Sequence, residues 1–253
     1  MAQLLRKSGA ITALHRRSIS VVTGALPPHM GLGGTPIALK VAQSLHGAGI
    51  DVILADTAWD TVRRARMSGV RTFLGNVVSE KADRSLDLIG IGQLLALSER
   101  AAFNSLACLR YRSEFGSENV FSLRMPDAHG EGDPAEPASP LRGRLLFHED
   151  VTLDRLRTLI AEGADVKITG LTDKFGFDDL MKQQQHRGVP LFAISPSGLV
   201  YPFAENRSFK ASAGWKIGTL IVDEDEDVPE QERSAADRAR EHLQSPAVKP
   251  LPS

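Results

Sequence analysis

Glycines and polar residues between an apolar run and a helix are the part of this sequence most able to bind a ligand. Residues 18–24, SISVVTG, predict a β-strand because they are largely β-branched and end at a glycine. The helix that follows is predicted to have Thr35 as its N-cap and Pro36 in its first position. Glycines let the backbone approach a phosphate, and a helix N-terminus stabilises negative charge, so this segment predicts a phosphate loop. The glycines in question are Gly24, Gly31, Gly33 and Gly34.

The spacing of this loop departs from the usual dinucleotide-binding pattern. A literal G-x-G-x-x-G is absent, because PPHM lengthens the loop by several residues. Pro27 and Pro28 also remove two N–H donors at the place where phosphate contacts would be made. The sequence therefore predicts the strand, loop and helix of a dinucleotide site, but with weakened binding of phosphate.

Three polar residues follow predicted strands. Asp56 ends the apolar run IDVILAD, and Asn76 and Ser98 follow the next two strands. Open α/β sheets bind ligands at the carboxyl ends of their strands, where an acid after the second strand can accept hydrogen bonds from a ribose. Asp56 is equally suited to cap the helix that starts near Trp59, and the other two residues are equally suited to turns. Both interpretations stay open at each position.

Strand and helix patterns alternate through residues 18–125, which predicts an α/β fold: a Rossmann-like parallel sheet with helices on both faces. Residues 126–141 are rich in proline, glycine and acids and predict a linker. Residues 142–222 predict a small α+β domain with a hairpin at SPSG. Residues 223–253 predict a disordered acidic tail, and residues 1–17 form a basic N-terminal segment.

The composition limits the functions open to the chain. A net charge of -1 and a pI near 6.7 give no general attraction to nucleic acid, so no nucleic-acid partner is expected. The single cysteine, Cys108, excludes an internal disulfide and is expected to be a buried, inert thiol. No histidine pair has metal-ligand spacing, and the motifs of hydrolases, phosphate-loop enzymes and tyrosine–lysine dehydrogenases are absent. We therefore expect neither catalytic residues nor a metal site.

Several stretches resemble one protein family. They are ARMSGV…LGNVVSE…LDLIGIGQLLALS, then ERAAFNSLACLRYRSEFGSENVFSLR, then KITGLTDKFGFDDL with PLFAISPSG. Over roughly residues 18–222 the chain resembles the cytoplasmic C-terminal region of bacterial cation:proton antiporter-1 type sodium/proton antiporters, which contains a TrkA-N, or RCK N-terminal, domain. The resemblance implies that the four loop glycines and Thr35 bind phosphate, Asp56 the ribose and Asn76 the adenine side, while Ser98 lies at the edge after the fourth strand.

The function implied is a non-catalytic cytosolic module that senses a nucleotide or ions and regulates sodium or potassium/proton antiport. Its ligand would be NAD(H) or another adenine nucleotide, and its partners a second copy of the chain and a membrane antiporter. The basic residues 1–17 match the link from a last membrane helix, which implies a location at the inner face of the cell membrane. The alternatives are a soluble NAD-dependent oxidoreductase and a degenerate scaffold that acts only through protein interfaces.

Overall fold

The computed structural model describes residues 18–22, 35–124, 142–148, 150–184 and 187–222. The predictions for the basic segment, the linker, the acidic tail and the four loop glycines lie outside these residues.

A six-stranded parallel sheet forms the first part of the molecule. Its order is β3-β2-β1-β4-β5-β6, so the chain runs outward from β1 to β3 and then returns to the other side of β1. This is the order of a doubly wound dinucleotide-binding fold, and it confirms the predicted α/β class. The strands are β1 (Ser18–Val22), β2 (Asp51–Asp56), β3 (Arg71–Leu74), β4 (Ile91–Ala96), β5 (Val120–Ser122) and β6 (Arg144–Leu145).

Helices cover both faces of this sheet, as the sequence predicts. They are α1 (Pro36–Gly47), α2 (Trp59–Met67), α3 (Glu80–Ser85) and α4 (Ala101–Phe115). One apolar core contains Ile37 and Leu45 of α1 with Ala65 of α2, and a second contains Ala82 of α3 with Tyr111 of α4. Right-handed crossovers on either side of β1 place the two helix pairs on opposite faces.

The edge strand β6 comes from beyond the predicted linker. Its two residues, Arg144 and Leu145, pair in parallel with Phe121 and Ser122 of β5. The first sheet therefore includes backbone that the sequence assigns to the second domain. The division into domains at residues 126–141 stays a prediction.

A four-stranded antiparallel sheet of order β7-β10-β8-β9 forms the second part. The predicted hairpin at SPSG is confirmed, because Ile194 pairs with Val200 and the turn is closed by a hydrogen bond from Ser195 N to Leu199 O of 2.9 Å. The elements are α5 (Leu153–Ala161), β7 (Asp165–Gly170), α6 (Phe177–Gln183), β8 (Val189–Ile194), β9 (Val200–Pro202) and β10 (Lys216–Ile221).

The two sheets share one apolar core. The cluster that contains Leu45 of α1 also contains Leu156 of α5 and Phe192 of β8. Polar contacts join the same parts, among them a 2.9 Å hydrogen bond from Gln93 Nε2 of β4 to Val200 O of β9. In the described part of the chain no helix has both the length and the apolar character needed to span a bilayer.

Candidate functional site

The reversal of strand order between β1 and β4 opens a crevice at the carboxyl edge of the parallel sheet. The helix after β1 covers one face and the helix after β4 covers the other, so neither fills the space between these two strands. Four of the predicted site residues lie at this edge of the sheet: Thr35 directly before α1, Asp56 at the end of β2, Asn76 after β3 and Ser98 after β4.

Thr35 fixes the N-terminus of α1 to the end of β4. It stands at the N-cap position with Pro36 behind it, as predicted, but its side chain does not cap the helix. Its buried hydroxyl donates instead to the carbonyl oxygen of Leu97, directly after β4. A buried hydroxyl requires a hydrogen-bond partner, and the carbonyl just beyond the strand supplies one. The predicted N-cap position is therefore confirmed, but the hydroxyl bonds to Leu97 O instead of a helix N–H and so holds the helix terminus at the crevice.

Asp56 lies at the end of β2 with a relative exposure of 0%. Its Oδ1 accepts a 2.8 Å hydrogen bond from the backbone N–H of Ala58, the residue at the N-cap position of α2. The helix-terminus role that the sequence left open is therefore present in the structure. A contact with ribose stays a prediction.

Asn76 is exposed in the turn between β3 and α3. Its Oδ1 accepts a 3.0 Å hydrogen bond from Val78 N, and its carbonyl oxygen accepts a 2.6 Å hydrogen bond from Ser79 Oγ. Ser79 in turn caps α3 by accepting from Ala82 N. Asn76 therefore has the turn role that the sequence allowed, and it lies near Asp56 because Gly75 N donates to Asp56 O at 2.9 Å.

Ser98 is buried, and the side chain of Asn104 of α4 hydrogen-bonds to both its backbone N–H and its carbonyl oxygen. Asn104 Oδ1 accepts from Ser98 N at 3.0 Å, and Asn104 Nδ2 donates to Ser98 O at 2.8 Å. Ser98 Oγ accepts from Arg100 N at 3.2 Å, in the turn that leads into the helix. The structure thus brings Thr35 and Ser98 together at Leu97, with Asn104 as support.

Asn104 is a site residue that the sequence analysis missed. It is 1% exposed and shares a helical face with Ala107, Cys108 and Tyr111, all of them buried. The sequence does contain a signal for this role. The i, i+3, i+4, i+7 pattern of the helix places an amide where an apolar residue is expected. Such a residue must find partners inside the protein, and here they are the backbone groups of Ser98.

The chemistry available at this edge is hydrogen bonding and the positive end of a helix dipole. In the described ranges no group of three His, Cys, Asp or Glu side chains could hold a metal ion. A cavity of about 460 Å³ lies elsewhere, between α5, α6 and the segment around Arg207. A helix N-terminus favours an anionic ligand, and binding of a phosphate at this edge stays a prediction.

Comparison with known proteins gives no family. No protein-family model matches this chain, and no curated protein matches it. Among solved structures the chain is similar to the GsuK channel bound to NAD, with 11% sequence identity and a TM-score of 0.37 over 87% of this chain and 38% of that one. It is also similar to the GsuK RCK domain, with 11% identity and a TM-score of 0.34 over 89% of this chain and 47% of that one.

This chain therefore spans less than half the length of either structure. TM-scores below 0.5 carry no argument about function. The α/β assignment rests on the strand order of this chain.

Proposed function

We propose that this chain is a regulatory module of monovalent cation transport that binds an adenine nucleotide, such as NAD(H), at the carboxyl edge of its parallel sheet. The observation that carries the ligand site is the switch point between β1 and β4, where Thr35 holds the N-terminus of α1 beside the end of β4. Open α/β sheets bind ligands at that position. The transport role, sodium or potassium/proton antiport at the inner face of the membrane, rests on the resemblance of residues 18–222 to antiporter regulatory regions.

In this proposal the N-terminus of α1 stabilises the phosphates, and Asp56 accepts hydrogen bonds from the ribose hydroxyls. Asp56 is fully buried and bonded to Ala58 N, so a ribose can reach it only if the residues that cover it move. A movement that the ligand requires couples binding to conformation, because the ligand then favours one of two arrangements. That coupling is what a regulatory module needs in order to act on a membrane partner.

Thermal unfolding with millimolar NAD, NADH, ATP or AMP tests the site. A ligand at a hundred times its dissociation constant stabilises the folded state by about 2.7 kcal/mol, which is measurable as a rise in melting temperature. Asp56→Asn keeps an oxygen that can accept from Ala58 N but lacks the second carboxylate oxygen, so it should fold and lose the response. Asp173→Asn, at an exposed position of the second part, is the matched control and should keep it.

The outcomes separate the three functions. No shift with any of the four nucleotides would overturn nucleotide sensing and favour the scaffold. A shift that persists unchanged in Asp56→Asn would overturn the role of Asp56. Oxidation of NADH with a carbonyl substrate would favour the oxidoreductase instead.

We further propose that the chain forms a homodimer through α4. Leu106 and Leu109 of this helix are 50% and 48% exposed, one turn apart, while the opposite face of the helix is buried. Paired exposed leucines on one helix face support a protein contact. Leu106→Lys together with Leu109→Lys should yield a monomer in sedimentation equilibrium, while the control Met67→Lys, at a side chain 78% exposed on α2, should not. A double variant that sediments like the wild type would contradict the proposal.

A further inference from the structure

A cavity of about 460 Å³ lies in the second part of the molecule, away from the crevice at the sheet edge. Its walls come from the segment after β6, from α5 and α6, from the start of β8 and from the segment after β9. The lining is predominantly apolar, and its largest apolar side chains are Phe147, Phe177, Met181 and Phe203. A concave, apolar space of this size is typical of a site for a small molecule.

A cationic group lines this apolar cavity without a hydrogen-bonding anion. Arg207 Nη1 is buried and has no hydrogen-bond partner among the described residues. The guanidinium lies over the rings of Phe121 and Tyr201, 5.2 and 5.3 Å from their centroids. Desolvation, followed by the charge of Arg144, lowers the pKa of Arg207 below its ordinary value. The aromatic rings hold the guanidinium in place, so an anion that reached it would find a preorganised donor.

The other charged side chains of the cavity neutralise one another at its mouth. Asp150 pairs with Arg155 and lies 3.1 Å from Nδ1 of His148, whose side chain is 81% exposed. Asp150 therefore does not pair with Arg207. Among the charged side chains of the described residues that line the cavity, Arg207 is the one whose charge remains for a ligand.

Backbone strain is concentrated at the same place. Within the described residues two that are not glycine have positive φ, Phe147 at 70° and Asn206 at 55°. Phe147 lines the cavity, and Asn206 directly precedes Arg207. Left-handed backbone is unfavourable for a phenylalanine, and strain of this kind is common at ligand sites. Phe147 is held there by a 2.7 Å hydrogen bond from its N–H to the carbonyl oxygen of Phe203, in the neighbouring segment that also lines the cavity.

We infer that this cavity binds a small amphipathic anion, a carboxylate or a phosphate monoester that carries an apolar chain or ring. The anionic head accepts hydrogen bonds from Arg207, and the apolar body lies among Phe147, Phe177, Met181 and Phe203. The site is distinct from the proposed nucleotide site, since none of the residues that line the cavity lies on α1, on β2, on α4 or directly after β3 or β4.

Isothermal titration calorimetry with octanoate, phenyl phosphate and octanol tests the inference. Octanoate or phenyl phosphate should bind with one site per chain, and the better of the two identifies the head group as carboxylate or phosphate. Octanol carries an apolar chain without the charge and should bind at least tenfold more weakly than the better anion. Equal binding of octanol would overturn the role of the cation.

Two variants locate the site. Arg207→Met removes the charge but keeps an apolar chain over the rings, and it should raise the dissociation constant of the anion at least tenfold. Ala204→Leu fills the cavity without changing any charge and should also weaken binding. Arg63→Met, at an exposed position of α2, is the control and should bind like the wild type.

Circular dichroism verifies that each variant is folded, and Arg207→Lys covers the case in which Arg207→Met does not fold. Arg207→Lys keeps the charge and should bind the anion more weakly than the wild type but more tightly than the Met variant. Anion binding that is unchanged in both Arg207→Lys and Ala204→Leu, or no binding of either anion to the wild type, would overturn the inference.

Discussion

Asn104 links helix α4 to the end of β4 through two hydrogen bonds to the peptide groups of Ser98. In Asn104→Ala a buried N–H and a buried carbonyl lose this partner, so we expect the free energy of unfolding to fall by about 1–3 kcal/mol. Urea unfolding followed by circular dichroism measures the change.

The control for this variant is Asn76→Ala. Asn76 also accepts a hydrogen bond from a backbone N–H, but in an exposed turn where water can replace it. Its loss should therefore alter the free energy of unfolding by roughly 0.5 kcal/mol or less. An equal loss of free energy of unfolding in the two variants would show that the contribution of Asn104 to stability does not depend on burial of the Ser98 backbone.

Cys108 provides a second prediction at this scale. It is fully buried against β5, and burial raises the pKa of its thiol to about 12. The nucleophile is the thiolate, which is therefore scarce at any pH up to 9. We expect the native protein not to react with a disulfide reagent at pH 8, and to release one equivalent of chromophore after unfolding in urea. Rapid reaction of the native protein would contradict this burial.

The roles of individual residues were the least predictable feature from the sequence. Its pattern placed Thr35 at the helix terminus but could not show that the hydroxyl donates to Leu97 O, because that partner lies 62 positions away. The two interpretations of Asp56 could not be separated either, although its observed partner, Ala58 N, is local, because the burial of its carboxylate depends on how distant parts of the chain pack. A long-range partner leaves no trace in local spacing.

Elements were predicted more completely than residues, because each needs only a local pattern. The alternating strands and helices of residues 18–125 and the hairpin at SPSG follow from apolar runs and turn residues. Helix α6 was missed because Leu180 is its one fully buried position in a polar stretch, and it begins where Gly176 N donates to Asp179 Oδ2. Strand β6 was missed because a strand of two residues is too short to show an alternation of apolar and polar residues. Its pairing also depends on β5, which is distant in the sequence.

Strand β10 offers a test of packing at this scale. A Cβ on Gly218 would lie 2.3 Å from the ring of the buried Phe192, whereas a Cβ on Gly170 of β7 would meet nothing within 4 Å. Gly218→Ala should lower the free energy of unfolding by about 1–3 kcal/mol, as overpacking of a core does. Gly170→Ala is the control and should be neutral or stabilising in the same urea titration. A Gly218→Ala variant as stable as the control would show that Phe192 can move aside.

At the scale of the whole molecule, the two sheets are joined more closely than the linker composition of residues 126–141 suggests. They share an apolar core, β6 crosses the predicted boundary, and Gln93 of β4 bonds to Val200 of β9. The described residues between Ser18 and Val222 accordingly group as one compact unit. Composition could predict where the chain is polar, but it could not show that the segments on either side of that stretch pack together.

Because the two sheets share a core, we expect them to unfold in one cooperative transition, which can be measured. In Trp59→Phe the remaining tryptophan is Trp215, which contacts Tyr201 and Phe209 and reports on the second sheet. The chain's one cysteine, Cys108, reports on the first sheet through its reaction with a pulse of thiol reagent. Because the apolar core is shared, loss of either sheet exposes apolar surface of the other, and we expect the two urea curves to coincide.

Trp59 is itself 53% exposed, so its replacement should leave the wild-type midpoint by circular dichroism unchanged. A Trp215 midpoint that differs from that of Cys108 by more than the fitting error would show instead that the two sheets unfold independently, as two domains divided at residues 126–141 would.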